Sequence, residues 1–319
     1  MLSPVHVTSF NCHSFFAVMS RKTVLKVLRN FVIGVLSIVV AVVAIVYGVS
    51  SYRLSRKHVV QVRQFPIPNT AAVIERGRHI ATTRGCSDCH GKDYAGNKVI
   101  DDPMAGEFHG PNLTRGVGGL PASYGDEDFV RAIRHGVAPD GRALALMPSH
   151  EYTTLSDEDL GATIAYLKSV PAVDRPRGPV SPGPVIRLMM VLGEVKLAAE
   201  EIDHSALQAA SVTPAITVDY GKYLASSCIG CHGSNMSGGK IAGAPPDWPS
   251  AANLTPHASS RIGQWNETQF IQALRTRQRP DGSMLSPIMP DGFAVMTDLE
   301  LKALWAYIST LPQVATGAR

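Results

Sequence analysis

Cys86-Ser87-Asp88-Cys89-His90 and Cys228-Ile229-Gly230-Cys231-His232 are one pattern, Cys-x-x-Cys-His, written twice in 319 residues. It is the attachment signal for a c-type haem. Two intervening residues let both thiols span one porphyrin edge as thioethers, while the adjacent His turns inward as an axial iron ligand. Cys-x-x-Cys also builds zinc sites and thioredoxin-like redox pairs. A zinc knuckle needs two such pairs close together, whereas these lie 142 residues apart, each with its own His. The reading that follows is a carrier of two covalently bound haem c groups.

Around each signal the chain repeats itself, and an internal duplication shows what each unit needs. Gly77-Arg78-His79-Ile80 answers Gly221-Lys222-Tyr223-Leu224, and Asn112-Leu113-Thr114 answers Asn253-Leu254-Thr255. Phe129 to Arg134 answers Phe270 to Arg275, Pro139-Asp140-Gly141 answers Pro280-Asp281-Gly282, and Ala165-Tyr166-Leu167 answers Ala306-Tyr307-Ile308. Met147-Pro148 and Met289-Pro290 each stand 61 residues after the first Cys of their signal. A Met thioether opposite His stabilises ferrous haem and raises its potential, so Met147 and Met289 are the candidate sixth ligands, with His90 and His232 opposite them. An isolated Met would be read as core filler. Met104 and Met284 have no counterpart in the other repeat, nor do His109, His135, His150 and His257, which read as surface or loop histidines.

Both halves resemble class I cytochrome c domains, particularly those of membrane-bound cytochrome subunits serving periplasmic dehydrogenases. The likeness rests on Cys-x-x-Cys-His, Gly110-Pro111-Asn112-Leu113, the turn from Arg134-x-Gly136 to Pro139-Asp140-Gly141, Leu146-Met147-Pro148 and the closing Ala165-Tyr166 segment. It covers about two thirds of the chain. It implies that the Pro111 carbonyl holds the second ring nitrogen of His90, fixing the imidazole and increasing its donation to iron. In the second half Ala252 stands where that Pro would be. Arg134 and Arg275 occupy equivalent places, as partners of haem propionates or as solvated helix-end arginines.

Local patterns predict an all-α fold. Val73, Ile74, Gly77, Ile80 and Ala81 recur at helical spacing. Ser156 and Thr297 are N-cap residues with Asp159 and Glu300 three positions on, the latter a capping box. Leu160, Ile164 and Leu167, answered by Leu301, Trp305 and Ile308, form one apolar face per closing helix. Gly116, Gly118, Gly119, Pro245, Pro246 and Pro249 mark loops around a cofactor in place of strands. Cores this small need the haem as a staple.

Composition allows a membrane-associated protein of about two domains, 45% hydrophobic, and a net charge of +4 is too mild to point to nucleic acid. Four of five cysteines belong to the signals; Cys12 is a lone thiol. Asn30 to Tyr52 carries no charge and is long enough to cross a bilayer once. Arg21, Lys22, Lys26 and Arg29 precede it and Arg53, Arg56, Lys57 and Arg63 follow, so charge does not orient it. With no Ala-x-Ala site after the run, it reads as an uncleaved anchor, and Met19 as the more natural start. Haem attachment, by the resemblance, happens outside the bacterial cytoplasmic membrane, which puts the haem domains in the periplasm.

The expected organisation is a cytoplasmic leader (1–29), a transmembrane helix (30–52), cytochrome c domain 1 (70–170), a Pro-rich linker (171–213) and cytochrome c domain 2 (214–314). The linker reads as a semi-rigid spacer whose apolar stretch from Val185 to Leu192 is too short to span a membrane and packs on a haem domain or a partner. Sequons at Asn112, Asn253 and Asn266 are set aside, two of them being part of the repeat. The expected function is electron transfer from a periplasmic dehydrogenase or quinol-oxidising complex to a terminal oxidase or soluble cytochrome. The alternative, a dihaem peroxidase-like enzyme, needs one displaceable sixth ligand; a haem-based sensor lacks any accompanying signalling domain.

Overall fold

The structure, a computed structural model, describes residues 21–241, 244 and 247–318. Cys12, Met19, Pro245 and Pro246 lie outside the described residues. The chain divides into two compact units at Gly48 and Val49. The first is the bulk of helix α1 (Arg21–Ser55), long and apolar enough to cross a membrane. Its Leu36, Ile38 and Val40 point outward, as lipid-facing residues would.

In the second unit, Val49–Arg319, the elements follow in order. They are α2 (Ala71–Thr83), α3 (Cys86–His90), β1 (Asn97–Asp102), β2 (Gly106–Gly110), α4 (Asp126–His135), α5 (Ser149–Tyr152) and α6 (Asp157–Ser169). Then come β3 (Val180–Pro182), α7 (Pro184–Leu192), α8 (Ala198–Glu201), α9 (Val218–Leu224), α10 (Ile229–His232), α11 (Glu267–Thr276) and α12 (Asp298–Ile308). Both closing helices start at the expected caps. Asp159 N donates to Ser156 Oγ at 3.1 Å, and Glu300 N to Thr297 Oγ1 at 3.2 Å, with Glu300 Oε2 accepting from Thr297 N.

Each half is organised by a helix crossing that only glycine permits. A Cβ on Gly77 would lie 1.9 Å from the Ala162 carbonyl oxygen and 2.8 Å from Tyr166 Cβ. A Cβ on Gly221 would lie 1.9 Å from the Ala303 carbonyl oxygen and 2.8 Å from Tyr307 Cβ. The repeated Gly and the repeated Ala-Tyr are therefore the two sides of one crossing, α2 on α6 and α9 on α12. Beneath the crossings lie two apolar clusters. Leu160, Ile164, Leu167, Phe129 and Ile133 build the first; Leu301, Leu304, Ile308, Phe270 and Leu274 build the second.

The all-α expectation needs correction. The fold is mostly helical, but β1, β2 and β3 form an antiparallel sheet in that order. Phe108 is buried at its centre, while β1 is largely exposed and polar, so it carried no apolar alternation to betray it. In the second half the corresponding ladder shrinks to a bridge between Gly239 and Ala251. The linker is more than a spacer: β3 extends the sheet, and Met190 and Leu197 are buried with Val137 and Ala143.

Candidate functional site

The first signal sits on a single helical turn delivered by the preceding helix; in the second, Cys228 closes a 3-10 turn and α10 carries the rest. In the first, α2 ends at Thr83 with Arg84 as its C-cap, Gly85 takes a left-handed conformation (φ +70°), and α3 begins at Cys86. The chain after His90 turns through Gly91 (φ +79°) and Tyr94 (φ +57°), Gly96 N donates to the His90 carbonyl at 2.7 Å, and Leu113 N to the Tyr94 carbonyl at 2.8 Å. After His232 the same path recurs: Gly233 (φ +81°), Met236 (φ +61°), Gly238 N to the His232 carbonyl at 2.8 Å, Leu254 N to the Met236 carbonyl at 2.8 Å. Tyr94 and Met236 hold a conformation that favours glycine, so the path is imposed by its hydrogen bonds and packing.

That path brings a carbonyl to each imidazole. His90 Nδ1 lies 2.9 Å from the Pro111 carbonyl oxygen, and His232 Nδ1 lies 2.7 Å from that of Ala252. A carbonyl only accepts, so Nδ1 donates and Nε2 keeps the lone pair a metal ligand needs. Ala252 does in the second half what Pro111 does in the first. Burial lowers the pKa of His90, which favours the neutral ring. Burial likewise pushes the Cys86 thiol up to about 12 and that of Cys228 to about 11.

The methionines arrive on matching loops. Leu144 N donates to the Gly136 carbonyl and Leu285 N to that of Arg277, both at 2.7 Å, folding each Met segment back on its helix. Met147 packs on the cluster that also receives Cys86, and Met289 on the one that receives Cys228. The competitors Met104 and Met284 are exposed. An imidazole with a free Nε2, two thiols on one turn and a thioether against the same apolar cluster are the donor set of a haem c, and the residues fit that group. Among the described residues no three His, Cys, Asp or Glu side chains form a metal cluster, so the two Cys pairs do not meet in one thiolate site.

The repeated Asn-Leu-Thr is a clamp. Asn112 Nδ2 donates to the Val173 carbonyl at 2.9 Å and Asn253 Nδ2 to the Val314 carbonyl at 2.8 Å, tying the loop to the chain that leaves the closing helix. Both asparagines are buried, which agrees with setting these two sequons aside; Asn266 is exposed.

Two sequence expectations are revised. Arg134 is not solvated: it is buried, donating to Asp157 at 2.9 Å and to the Leu155 carbonyl at 2.8 Å, at the start of α6. Arg275 repeats the contact with Asp298 at 2.8 Å, and with the Ala294 carbonyl, at the start of α12. His135 is no surface residue either; it is buried with its Nδ1 3.1 Å from that of His204, and burial takes its pKa down to about 4.

Sequence reading missed how the halves meet. His79 Nε2 lies 2.9 Å from Glu300, and at the equivalent place Tyr223 donates its hydroxyl to Asp159 at 2.5 Å. Each is thus a residue of one half's first helix bonded to the third residue of the other half's closing helix. Arg84, two before Cys86, is buried, donates to Ser226 Oγ, two before Cys228, at 2.8 Å, and lies 5.6 Å over the Tyr223 ring. A Cβ on Gly230, inside the second signal, would fall 1.9 Å from Glu151 Oε1, whose pKa burial raises to about 7. Reciprocal pairing of unlike residues at equivalent positions, His79 with Tyr223 and Arg84 with Ser226, was the signal available.

Comparison with known proteins agrees with this geometry. The pattern of the family described as Cytochrome c matches residues 74–171 and 218–312. The chain is 28% identical over 284 residues to the cytochrome c subunit of a quinone alcohol dehydrogenase of Gluconobacter oxydans, covering 77% of this chain and 56% of that one. It is 25% identical over 272 residues to the gluconate 2-dehydrogenase cytochrome c subunit of Pantoea cypripedii, covering 75% and 60%. A diheme cytochrome c-type protein of Cereibacter sphaeroides is 23% identical over 266 residues, covering 75% of this chain and 86% of that one. The chain thus spans less than two thirds of the two dehydrogenase subunits.

Proposed function

The chain belongs to the cytochrome c family, and from that premise we propose that it is a membrane-anchored dihaem electron-transfer subunit, not itself a catalyst. Haem c, when bound, supplies one-electron exchange between Fe(III) and Fe(II). Cys86 and Cys89 in residues 70–170, and Cys228 and Cys231 in residues 214–314, would form the thioethers. His90 with Met147, and His232 with Met289, would supply the iron ligands. The Pro111 and Ala252 carbonyls orient the imidazoles, and the two apolar clusters would exclude water from a bound cofactor. Residues 171–213 join the two domains.

The observation that carries this reading is the second copy of the His–carbonyl bond, made by Ala252 where no proline helps, with a Met at the same interval in both halves. With Met147 and Met289 both serving as ligands, neither iron would keep an open position for peroxide chemistry. Two of the three named relatives are dehydrogenase cytochrome subunits, and the third is a diheme cytochrome c-type protein. The donor is accordingly a periplasmic dehydrogenase or quinol-oxidising complex, and the acceptor a terminal oxidase or soluble cytochrome. α1 holds both domains on the periplasmic side of the inner membrane.

Spectroscopy tests the ligands. Two low-spin haems are expected, each with a methionine-to-iron charge-transfer band. Met147→Ala and Met289→Ala should each remove one band and lower one potential. A high-spin, peroxide-reactive haem in the unaltered protein would sink the reading. Co-purification of a dehydrogenase large subunit with the tagged chain tests the donor.

A further inference from the structure

Helix α7 divides its apolar residues between two opposite faces. Met190 is 2% exposed, packed with Ile186 against Val137 and Leu197, whereas Val185, Leu188 and Leu192 are 38%, 43% and 66% exposed. Positions 185, 188 and 192 fall at i, i+3 and i+7, one face of a helix. The exposed patch continues onto Met104, 55% exposed, whose carbonyl accepts from Val185 N at 3.0 Å.

What this face meets is indicated by what α7 is fastened to. Arg187 donates to Ser50 Oγ at 2.9 Å and to Ser51 Oγ at 3.0 Å, Arg53 donates to the Met190 carbonyl, and Leu54 joins the same small core. Ser50 to Leu54 are the residues at which the uncharged run ending at Tyr52 gives way to Arg53, Arg56 and Lys57. A helix leaving a bilayer passes the headgroups there. An element clasped to those residues is held at that depth. Exposed aliphatic side chains on one face and arginine beside it are what an interfacial helix presents.

We propose that α7 is an interfacial helix whose Val185–Leu188–Leu192 face is seated in the headgroup–acyl boundary of the bilayer that α1 crosses. The unit Val49–Arg319 then touches the membrane at a second place besides its tether. The proposal rests on the reading of α1 as an anchor.

The test uses the full chain, purified with its cofactors and reconstituted in phosphatidylethanolamine–phosphatidylglycerol vesicles. The photoreactive residue p-benzoyl-phenylalanine replaces Leu192, Val39 within α1, or Val295, which is 54% exposed in the second half. After irradiation, mass spectrometry should find lipid adducts at 192 and 39, several-fold above 295. Lipid at 39 but none at 192 overturns the proposal and leaves the anchor standing; none at either overturns both. In whole membranes, an adduct at 192 to another protein instead of lipid also overturns it. Haem spectra recorded on the same samples report on the electron-transfer reading separately.

Discussion

The two halves follow one backbone path but dress it differently. In the first, β3 is laid along β2, and Val62, Phe65 and Ile67, from the chain before α2, pack on the core. The second half has the tail from Val314 to Gly317 across its clamp and, from the chain before α9, Val212 on its core. His90 is buried whereas His232 is only partly so. The Arg134–Asp157 pair has side chains 4% and 11% exposed; the Arg275–Asp298 pair, 30% and 77%. What is repeated in sequence sets the path; what is not repeated sets the covering. Burial disfavours the extra charge of ferric haem, so on the proposed reading a haem held by His90 should have the higher potential and one held by His232 the greater access to solvent and partners.

The largest effect should fall equally on both halves. Gly77→Val and Gly221→Val each force a side chain into a backbone carbonyl, at a cost of about 3 kcal/mol or more. Each should abolish the low-spin spectrum of its own half first; survival of either would break the equivalence of the crossings. Next comes a deliberate inequality. Arg134→Ala removes a buried charge-assisted bond from Asp157, which keeps Arg63 as its other partner, and should cost about 1.5–3 kcal/mol in urea unfolding, whereas Arg275→Ala opens an exposed pair and should cost about 1 kcal/mol or less. Equal losses would mean that burial does not separate the halves.

The clamps should again behave alike. Asn112→Ala and Asn253→Ala each take the asparagine donor from a carbonyl, Val173 or Val314, for about 1–3 kcal/mol apiece. The smallest effect is the pH response of the contact between halves. Its hydrogen bond to Glu300 raises the pKa of His79, so its contribution is complete below His79's ordinary 6.5 and is lost as pH rises through the raised value. Glu300 is held below its ordinary 4.5, chiefly by His79 and the Thr297 N–H acting against burial, so its share disappears as pH falls through that lowered value. His79→Gln should flatten the upper limb by no more than about 1 kcal/mol, read from melting curves between pH 6 and 8.

Much of the site was legible because it occurs twice. The signals, the methionine interval, the caps at Ser156 and Thr297 and the apolar faces of α6 and α12 are local patterns, and the second copy removes the chance reading of the first. Ala252 shows the limit of residue identity: a carbonyl is supplied by any residue, so the loop path decides. The sheet at 97–110 escaped because its outer strand is polar and exposed. The burial of Arg134, and Arg84 reaching Ser226, depend on chain segments distant in sequence, and no local spacing encodes them.

His79 reaching Glu300 while Tyr223 reaches Asp159 is the bonding of an isologous dimer, in which patch i meets patch j and patch j meets patch i. Here both partners belong to one polypeptide. Gene duplication that joined two such subunits would have inherited a finished interface, leaving the joining segment free of any duty to align them; residues 171–213 could then be recruited to clothe the first half.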